Sequence, residues 1–345
     1  MSNTNSAITK TVVLLVKNLS TRNRDIISRR FGLKTGKKET LESIGKSYGI
    51  TRERVRQIEE FSLKQLSKMT PTIPDIVRYV SLSKDILGGN GGVMRESDMF
   101  KAFSGNDKEN VVNSSLVFVL ALAGEPVRFG ENDSFHSFWA LDKQSADLFR
   151  ENVLEFVAVL ERNKKPVNEA ELVSFAEKNS VKNARNIGVF MGVSKELGRN
   201  VFNEVGLVSW AEVKPKGVRD KAYLVLKKES QPKHFSEIAR LINVTGFSSR
   251  KANIQTVHNE LIKDPRFVLV GRGMYGLSEW GYKPGTVKEV LVDILKGSSG
   301  PVLKAELVAK VMDARMVKEN TILLNLQDSK VFSKREDGTY ILRKA

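Results

Sequence analysis

The sequence predicts a mainly α chain with small β-hairpin wings: an N-terminal helix-turn-helix domain followed by a tandem array of winged-helix units. Three observations carry this. Near the N-terminus, the Gly-containing turn Gly49-Ile50 separates two short stretches with helical apolar spacing. Downstream, a turn followed by a new helix start recurs, with Met99, Leu172, Ile238 and Leu307 in equivalent places, 73, 66 and 69 residues apart. Each recurrence closes on a short aromatic β pattern, in which Trp139, Trp210, Tyr275 and Tyr340 are spaced by 71, 65 and 65.

In chain order, the first domain spans 8–70 and ends where Pro71 and Pro74 break a helical pattern. Its helices are expected over Asn23 to Phe31, Leu41 to Tyr48 and Arg52 to Leu66, with Thr40 and Thr51 as N-caps. In the last of these, Val55, Ile58, Leu63 and Leu66 form a stripe for burial. The following units are expected at 76–143, 147–214, 217–281 and 284–345. The second has the faintest signals, with a short third helix around Ser194 to Asn203 and a closing β pattern at Ser209 to Val213. In the last two units a strand and Gly turn precede the closing strand: Phe267 to Gly273 before Met274-Tyr275-Gly276-Leu277, and Val331-Phe332-Ser333 before Thr339-Tyr340-Ile341-Leu342. Phe135, Phe138, Trp139, Trp210 and Trp280 recur at hairpin ends, which marks them as wing anchors rather than a base-stacking set.

Charge narrows the function classes. The 345 residues carry a net +16, unevenly distributed. Residues 1–70 hold 15 Lys and Arg against 6 Asp and Glu, residues 71–213 hold 16 against 20, and residues 214–345 hold 25 against 14. Two basic ends flanking a mildly acidic middle favour a polyanionic partner. No stretch approaches the ~20 apolar residues of a membrane span, and the first ten residues lack a signal-peptide pattern. A cytoplasmic, nucleoid-associated protein without membrane contact is the expectation. With no cysteine, disulfides, thiolate nucleophiles and Cys-based zinc sites are excluded.

The residues of the first domain carry a resemblance. Leu19-Ser20-Thr21-Arg22-Asn23-Arg24-Asp25-Ile26-Ile27, Arg30-Phe31-Gly32-Leu33, Thr40-Leu41-Glu42-Ser43-Ile44-Gly45 and Thr51-Arg52-Glu53-Arg54-Val55-Arg56-Gln57-Ile58-Glu59 together resemble region 4 of primary bacterial sigma factors. The resemblance covers about Val16 to Lys68. It implies a helix that enters the major groove of a −35-like promoter element in double-stranded DNA, and a contact with the β-flap of bacterial RNA polymerase. The chemistry of the residues agrees: Arg52, Glu53, Arg56 and Gln57 fall at i, i+1, i+4 and i+5, on one helix face. Arg suits guanine, Glu can accept from cytosine, and Gln suits adenine. By resemblance Arg52, Glu53 and Gln57 are the base readers, and Arg54 and Arg56 hold phosphates. Thr40 and the backbone amide of Leu41, at a helix start, are further phosphate candidates. Nothing before Leu19 is long enough for the promoter-melting region 2 of that family, so the chain is not expected to be a complete sigma factor.

A second resemblance lies at 217–281. Val218-Arg219-Asp220-Lys221-Ala222-Tyr223, Phe235-Ser236-Glu237-Ile238-Ala239, Thr256-Val257-His258-Asn259-Glu260-Leu261, Asp264-Pro265-Arg266-Phe267 and Gly273-Met274-Tyr275-Gly276-Leu277-Ser278-Glu279-Trp280-Gly281 resemble a HARE-type winged helix-turn-helix, as in the RNA polymerase δ subunit. No binding residues follow from it. From chemistry alone, a third helix beginning near Ser248 to Asn253 would offer Arg250, Lys251, Asn253 and Gln255 to DNA, with Arg272 in the wing.

Enzymatic signals are scarce. His136, His234 and His258 are scattered: the first falls in a wing, the second at a helix start and the third at a helix surface or core edge, with no metal-ligand spacing. The Gly-rich stretch Gly88 to Gly92 lacks a following Gly-Lys-Ser/Thr and is a turn, not a P-loop. No catalytic residues, metal or cofactor are expected. The sequence therefore points to a sequence-specific DNA-binding transcription factor acting with RNA polymerase. A δ-like polymerase accessory protein and the recognition subunit of a restriction-modification system are the alternatives.

Overall fold

The computed structural model describes residues 2–343. The chain is mostly helical, with four small three-stranded antiparallel sheets among the described residues. It divides into two compact units, one holding residues up to 199 together with 203–209, the other holding 200–202 and the chain from Trp210 onward.

The first unit begins with α1 (Ser2–Val16), α2 (Thr21–Phe31), α3 (Leu41–Tyr48) and α4 (Arg52–Ser67). The sequence reading placed no helix ahead of Asn23 and so did not anticipate α1. Ile8, Val12, Leu15 and Val16 recur at helical spacing and are all buried. A single turn of 3₁₀ helix over Thr70–Thr72 covers the first proline, and Pro74 opens α5 (Pro74–Gly88), where a missing N–H costs nothing. Then come β1 (Val93–Arg95), α6 (Glu96–Ser104), α7 (Val111–Ala123), β2 (Val127–Phe129) and β3 (Phe138–Ala140).

α7 is the centre of this part. Every residue from Asn113 to Leu120 is buried, and the helix packs against α1, α2, α4, α5 and α6. The ring of Phe118 meets Phe31 of α2 edge-on, 5.0 Å between centroids. One apolar core runs from Ile8 through Ile27 and Leu66 to Leu116, Leu120 and Trp139, so it crosses residue 70 without a break. The helix-turn-helix keeps only a small core of its own, Ile26, Ile44, Val55 and Ile58.

The same unit continues with α8 (Lys143–Asn163), β4 (Val167–Asn168), α9 (Leu172–Lys178), α10 (Ile187–Val193), β5 (Leu197–Arg199) and β6 (Glu204–Leu207). Here the expectation was misplaced by one element. The third helix is Ile187–Val193, and the stretch expected to be helical forms β5 and a turn. Gly198 sits in the ladder opposite Gly206, a residue that weakens a helix and lets two backbones close on each other. Ser209 to Val213, expected to be a strand, is a turn region, and Trp210 is half-buried there.

The second unit holds α11 (Val218–Glu229), β7 (Lys233–His234), α12 (Phe235–Thr245), α13 (Ile254–Lys263), β8 (Phe267–Gly271) and β9 (Met274–Leu277). It ends with α14 (Val287–Lys296), β10 (Val302–Leu303), α15 (Lys304–Ala314), α16 (Glu319–Leu326), β11 (Phe332–Lys334) and β12 (Thr339–Leu342). Four times along the chain the order is helix, strand, two helices, then two strands. Each time the first strand pairs with the third and the third with the second. The residues read from sequence as turns before new helices form these first strands, such as Val302 opposite Tyr340. No described helix is long and apolar enough to cross a membrane.

Candidate nucleic-acid interface

The helix-turn-helix is built by three local devices. Thr40 and Thr51 cap α3 and α4, each hydroxyl oxygen accepting from the backbone N–H three residues on, at 3.1 and 3.2 Å. Gly49 closes α3 in the left-handed conformation, φ 63°, and the Ile50 N–H returns to the Gly45 carbonyl at 3.0 Å. At Gly45 the turn comes so close that a Cβ would lie 2.7 Å from the Ile50 carbonyl oxygen. These devices fix the angle between α3 and α4, and with it the face that α4 presents to solvent.

On that face Arg52, Glu53, Arg54, Arg56 and Gln57 are all exposed, while Val55 and Ile58 point into the small core. The exposed side chains are linked among themselves. Arg56 grips Glu53 with both Nε and Nη2 and reaches Glu60 at 3.2 Å. That bond to Arg56 holds the Glu53 carboxyl below its ordinary range. Arg54 donates to Gln57 Oε1 at 3.1 Å. Arg52 makes no side-chain hydrogen bond or ion pair among the described residues. The Leu41 side chain packs on the small core, and its amide lies in the first turn of α3, where a helix supplies no acceptor. Thr40, with its oxygen accepting from Ser43, keeps a hydroxyl hydrogen to donate.

Much of the positive charge in this domain serves the fold instead. Arg24 donates to the carbonyls of Val16, Lys17 and Leu19 at the end of α1. Arg29 forms a two-pronged pair with Glu39 and also donates to Ser47, which lowers the Glu39 carboxyl pKa. Arg30 pairs with Glu59 of α4 at 3.0 Å. Exposed Lys46 forms no such pair among the described residues, and Arg22 only stacks on Tyr48, 5.5 Å from its ring centre. Neither was singled out from the sequence, where nothing but the domain's net charge pointed to them.

The second group of candidates is not brought together as expected. α13 starts at Ile254, so Arg250 and Lys251 lie in the exposed loop before it rather than on its first turn. The reason is Asn253, whose side chain caps the helix by accepting from Gln255 and Thr256 N–H. Gln255 donates to Asn259, and Arg272 is exposed at the β8–β9 turn. Arg266 is committed to Asp264 at 2.7 Å and Asp220 at 3.0 Å. His234 caps α12, and His258 stacks on Phe235 with centroids 4.3 Å apart. His136 lies between β2 and β3, where burial and then Arg95 hold its pKa low. Among the described residues no cluster of His, Asp and Glu could hold a metal ion. Of the aromatics, Phe135, Phe138 and Trp139 are buried, while Trp210 and Trp280 are half-buried.

The capped α3–turn–α4 pair, with its charged outer face, is a DNA-reading class of element. Residues 15–68 match the family described as Sigma-70, region 4, and form a region 4-like domain. The principal sigma factor HrdD of Streptomyces griseus is 44% identical over 55 residues, 16% of this chain and 17% of that protein. SigA of a Nostoc species is 46% identical over 52 residues, 15% of this chain and 13% of that protein. RpoS of Coxiella burnetii is 52% identical over 48 residues, 14% of each. The chain thus spans about a sixth or less of the curated relatives it matches.

Proposed function

We propose that this chain is a sequence-specific DNA-binding transcription factor that acts with RNA polymerase and shares region 4, but not the remaining parts, with sigma factors. The observation that carries the reading is the solvent face of α4, with Arg52, Glu53, Arg56 and Gln57 held outward on a capped helix inside the region 4 match. In this reading α4 enters the major groove of a −35-like element. Arg52, Glu53 and Gln57 read bases, while Arg54, Arg56, Thr40 and the Leu41 amide hold phosphates. The Arg56–Glu53 and Arg54–Gln57 links are exposed and cheap to exchange for DNA contacts.

We read the four repeated helix-strand-helix-helix-strand-strand units as tandem winged helices at 76–143, 147–214, 217–281 and 284–345, the third being HARE-type. Their shared strand order supports this. The loop cations Arg250 and Lys251, with Gln255 and Arg272, are a secondary DNA-contact candidate, and no catalytic role is assigned to any residue. The protein would work at the nucleoid.

The test is a binding assay on a site selected from random DNA. Arg52→Ala combined with Gln57→Ala should lose sequence preference and keep salt-dependent background binding; unchanged preference would sink the base-reading assignment. A second reading, a polymerase accessory protein in which this domain grips the β-flap, is favoured by apolar side chains left outside: Phe61 on α4 is 64% exposed and Leu14 on α1 62%. Polymerase that co-purifies after nuclease treatment, and is lost in Phe61→Ser, would support it.

A further inference from the structure

Behind the recognition helix, between the helix-turn-helix and the first sheet, lies a cavity of about 350 Å³. This is within the range of small-molecule sites. Its apolar wall comes from Phe31, Leu120, Val127 and Trp139, and three cations, Arg30, Lys38 and Arg128, stand around it. Two of the cations are already neutralised, Arg30 by Glu59 and Arg128 by a two-pronged pair with Glu96. Lys38 has no hydrogen bond or ion pair among the described residues; Glu96, committed to Arg128, and then Glu109 act on it only at longer range. Of the three cations around the cavity, Lys38 is therefore the one without a directly bonded carboxylate among the described residues. Burial, and next the neighbouring Arg128, pull the Lys38 ammonium pKa down. A second polar group is also unsatisfied. The indole N–H of Trp139, a residue 1% exposed, finds no acceptor, and a buried donor in that state is costly.

We infer that this cavity is a binding site for a small amphiphilic carboxylate, an aromatic or aliphatic organic acid. Its carboxylate pairs with Lys38, and its apolar body lies on Phe31, Leu120, Val127 and Trp139. A carboxylate would give Lys38 the direct partner it lacks, whereas a neutral molecule of the same shape would leave it unpaired. The inference does not rest on the DNA-binding reading, because the site is defined by its own residues.

The experiment is a thermal-shift titration of the full chain with phenylbutyrate and octanoate, alongside their amides and chloride. A ligand that binds only the folded chain raises Tm with concentration. The acids should raise Tm saturably, with apparent affinities at least roughly tenfold better than the amides, the factor expected from one charge-assisted hydrogen bond. Lys38→Met should erase the preference of acid over amide. Ala121→Phe, at an exposed lining position, should block both while leaving the unliganded Tm near that of the parent. Intrinsic fluorescence of a Trp210→Phe, Trp280→Phe chain, in which Trp139 is the remaining tryptophan, should respond to the acid over the same range. No shift with either acid up to about 10 mM, far weaker than useful affinity, would overturn the inference. So would equal binding of acid and amide, or binding that survives Ala121→Phe.

Discussion

The Arg56–Glu53 pair on α4 illustrates how little exposed charge contributes to holding the fold. Its side chains are 52% and 56% exposed, and solvent-screened pairs of that kind contribute little to stability. Arg56→Ala should therefore leave the urea midpoint nearly unchanged while weakening DNA binding. Gly45→Ala is the opposite case. The added methyl meets a backbone carbonyl that cannot move without opening the turn, and a loss of about 1–3 kcal/mol in urea unfolding is expected. A third residue-scale prediction concerns acid. Arg266 holds the Asp264 carboxyl below its ordinary range, so the folded chain binds that proton less readily than the unfolded one. The stabilisation is complete above the ordinary carboxylate range and is lost as pH falls through it toward the depressed folded value. Asp264→Asn should flatten that acid limb, measured as urea midpoints from neutral pH down to about pH 2. At this scale the caps Thr40 and Thr51 and the outward face of α4 were legible, because capping chemistry and helical period are local. The structural employment of Arg24, Arg29 and Arg30 was not, since their partners, from Val16 to Glu59, are set by folding.

Elements were legible in proportion to their length and periodicity. α3 matches its expected span, α2 starts two residues earlier and α4 ends one residue later, and both C-terminal hairpins lie where Gly turns and β-branched or aromatic residues put them. The first strand of each repeat was read as a turn, because two or three residues cannot display an alternation. α1 escaped because its opening residues are polar and its apolar stripe begins only at Ile8. The helix that matters most, α7, is buried nearly all round, so it has no polar face to define a period. Phe118, fully buried and against Phe31, is its keystone. Phe118→Ala should cost about 3–5 kcal/mol, read from chemical denaturation followed by circular dichroism. A loss below 1 kcal/mol would show that α7 is not the support of α2.

At the scale of the whole molecule, the charge map and the fold agree in part. The basic N-terminal segment contains the region 4-like domain, and the basic C-terminal third lies in the second unit. If both basic ends touch DNA, the log-log salt slope should be about −0.9 per phosphate engaged. The slope should fall when residues after 209 are removed. The sequence also suggested a domain ending at residue 70, on the strength of two prolines; the side chains that fill the core across that point could not be paired without the fold. A fragment of residues 1–73 should accordingly show no cooperative thermal transition, whereas residues 1–209, one compact unit, should melt as a single step. The shared core has a consequence for how this reading head could arise or be re-used. In an ordinary modular factor a DNA reader can be cut out and grafted elsewhere. Here α4 packs on α7, and Leu66 of α4 shares one core with Leu120 and with Trp139 of β3, so its evolution is tied to that of the following hairpin, and a change that loosens β3 reaches the exposed face of α4 through that shared core.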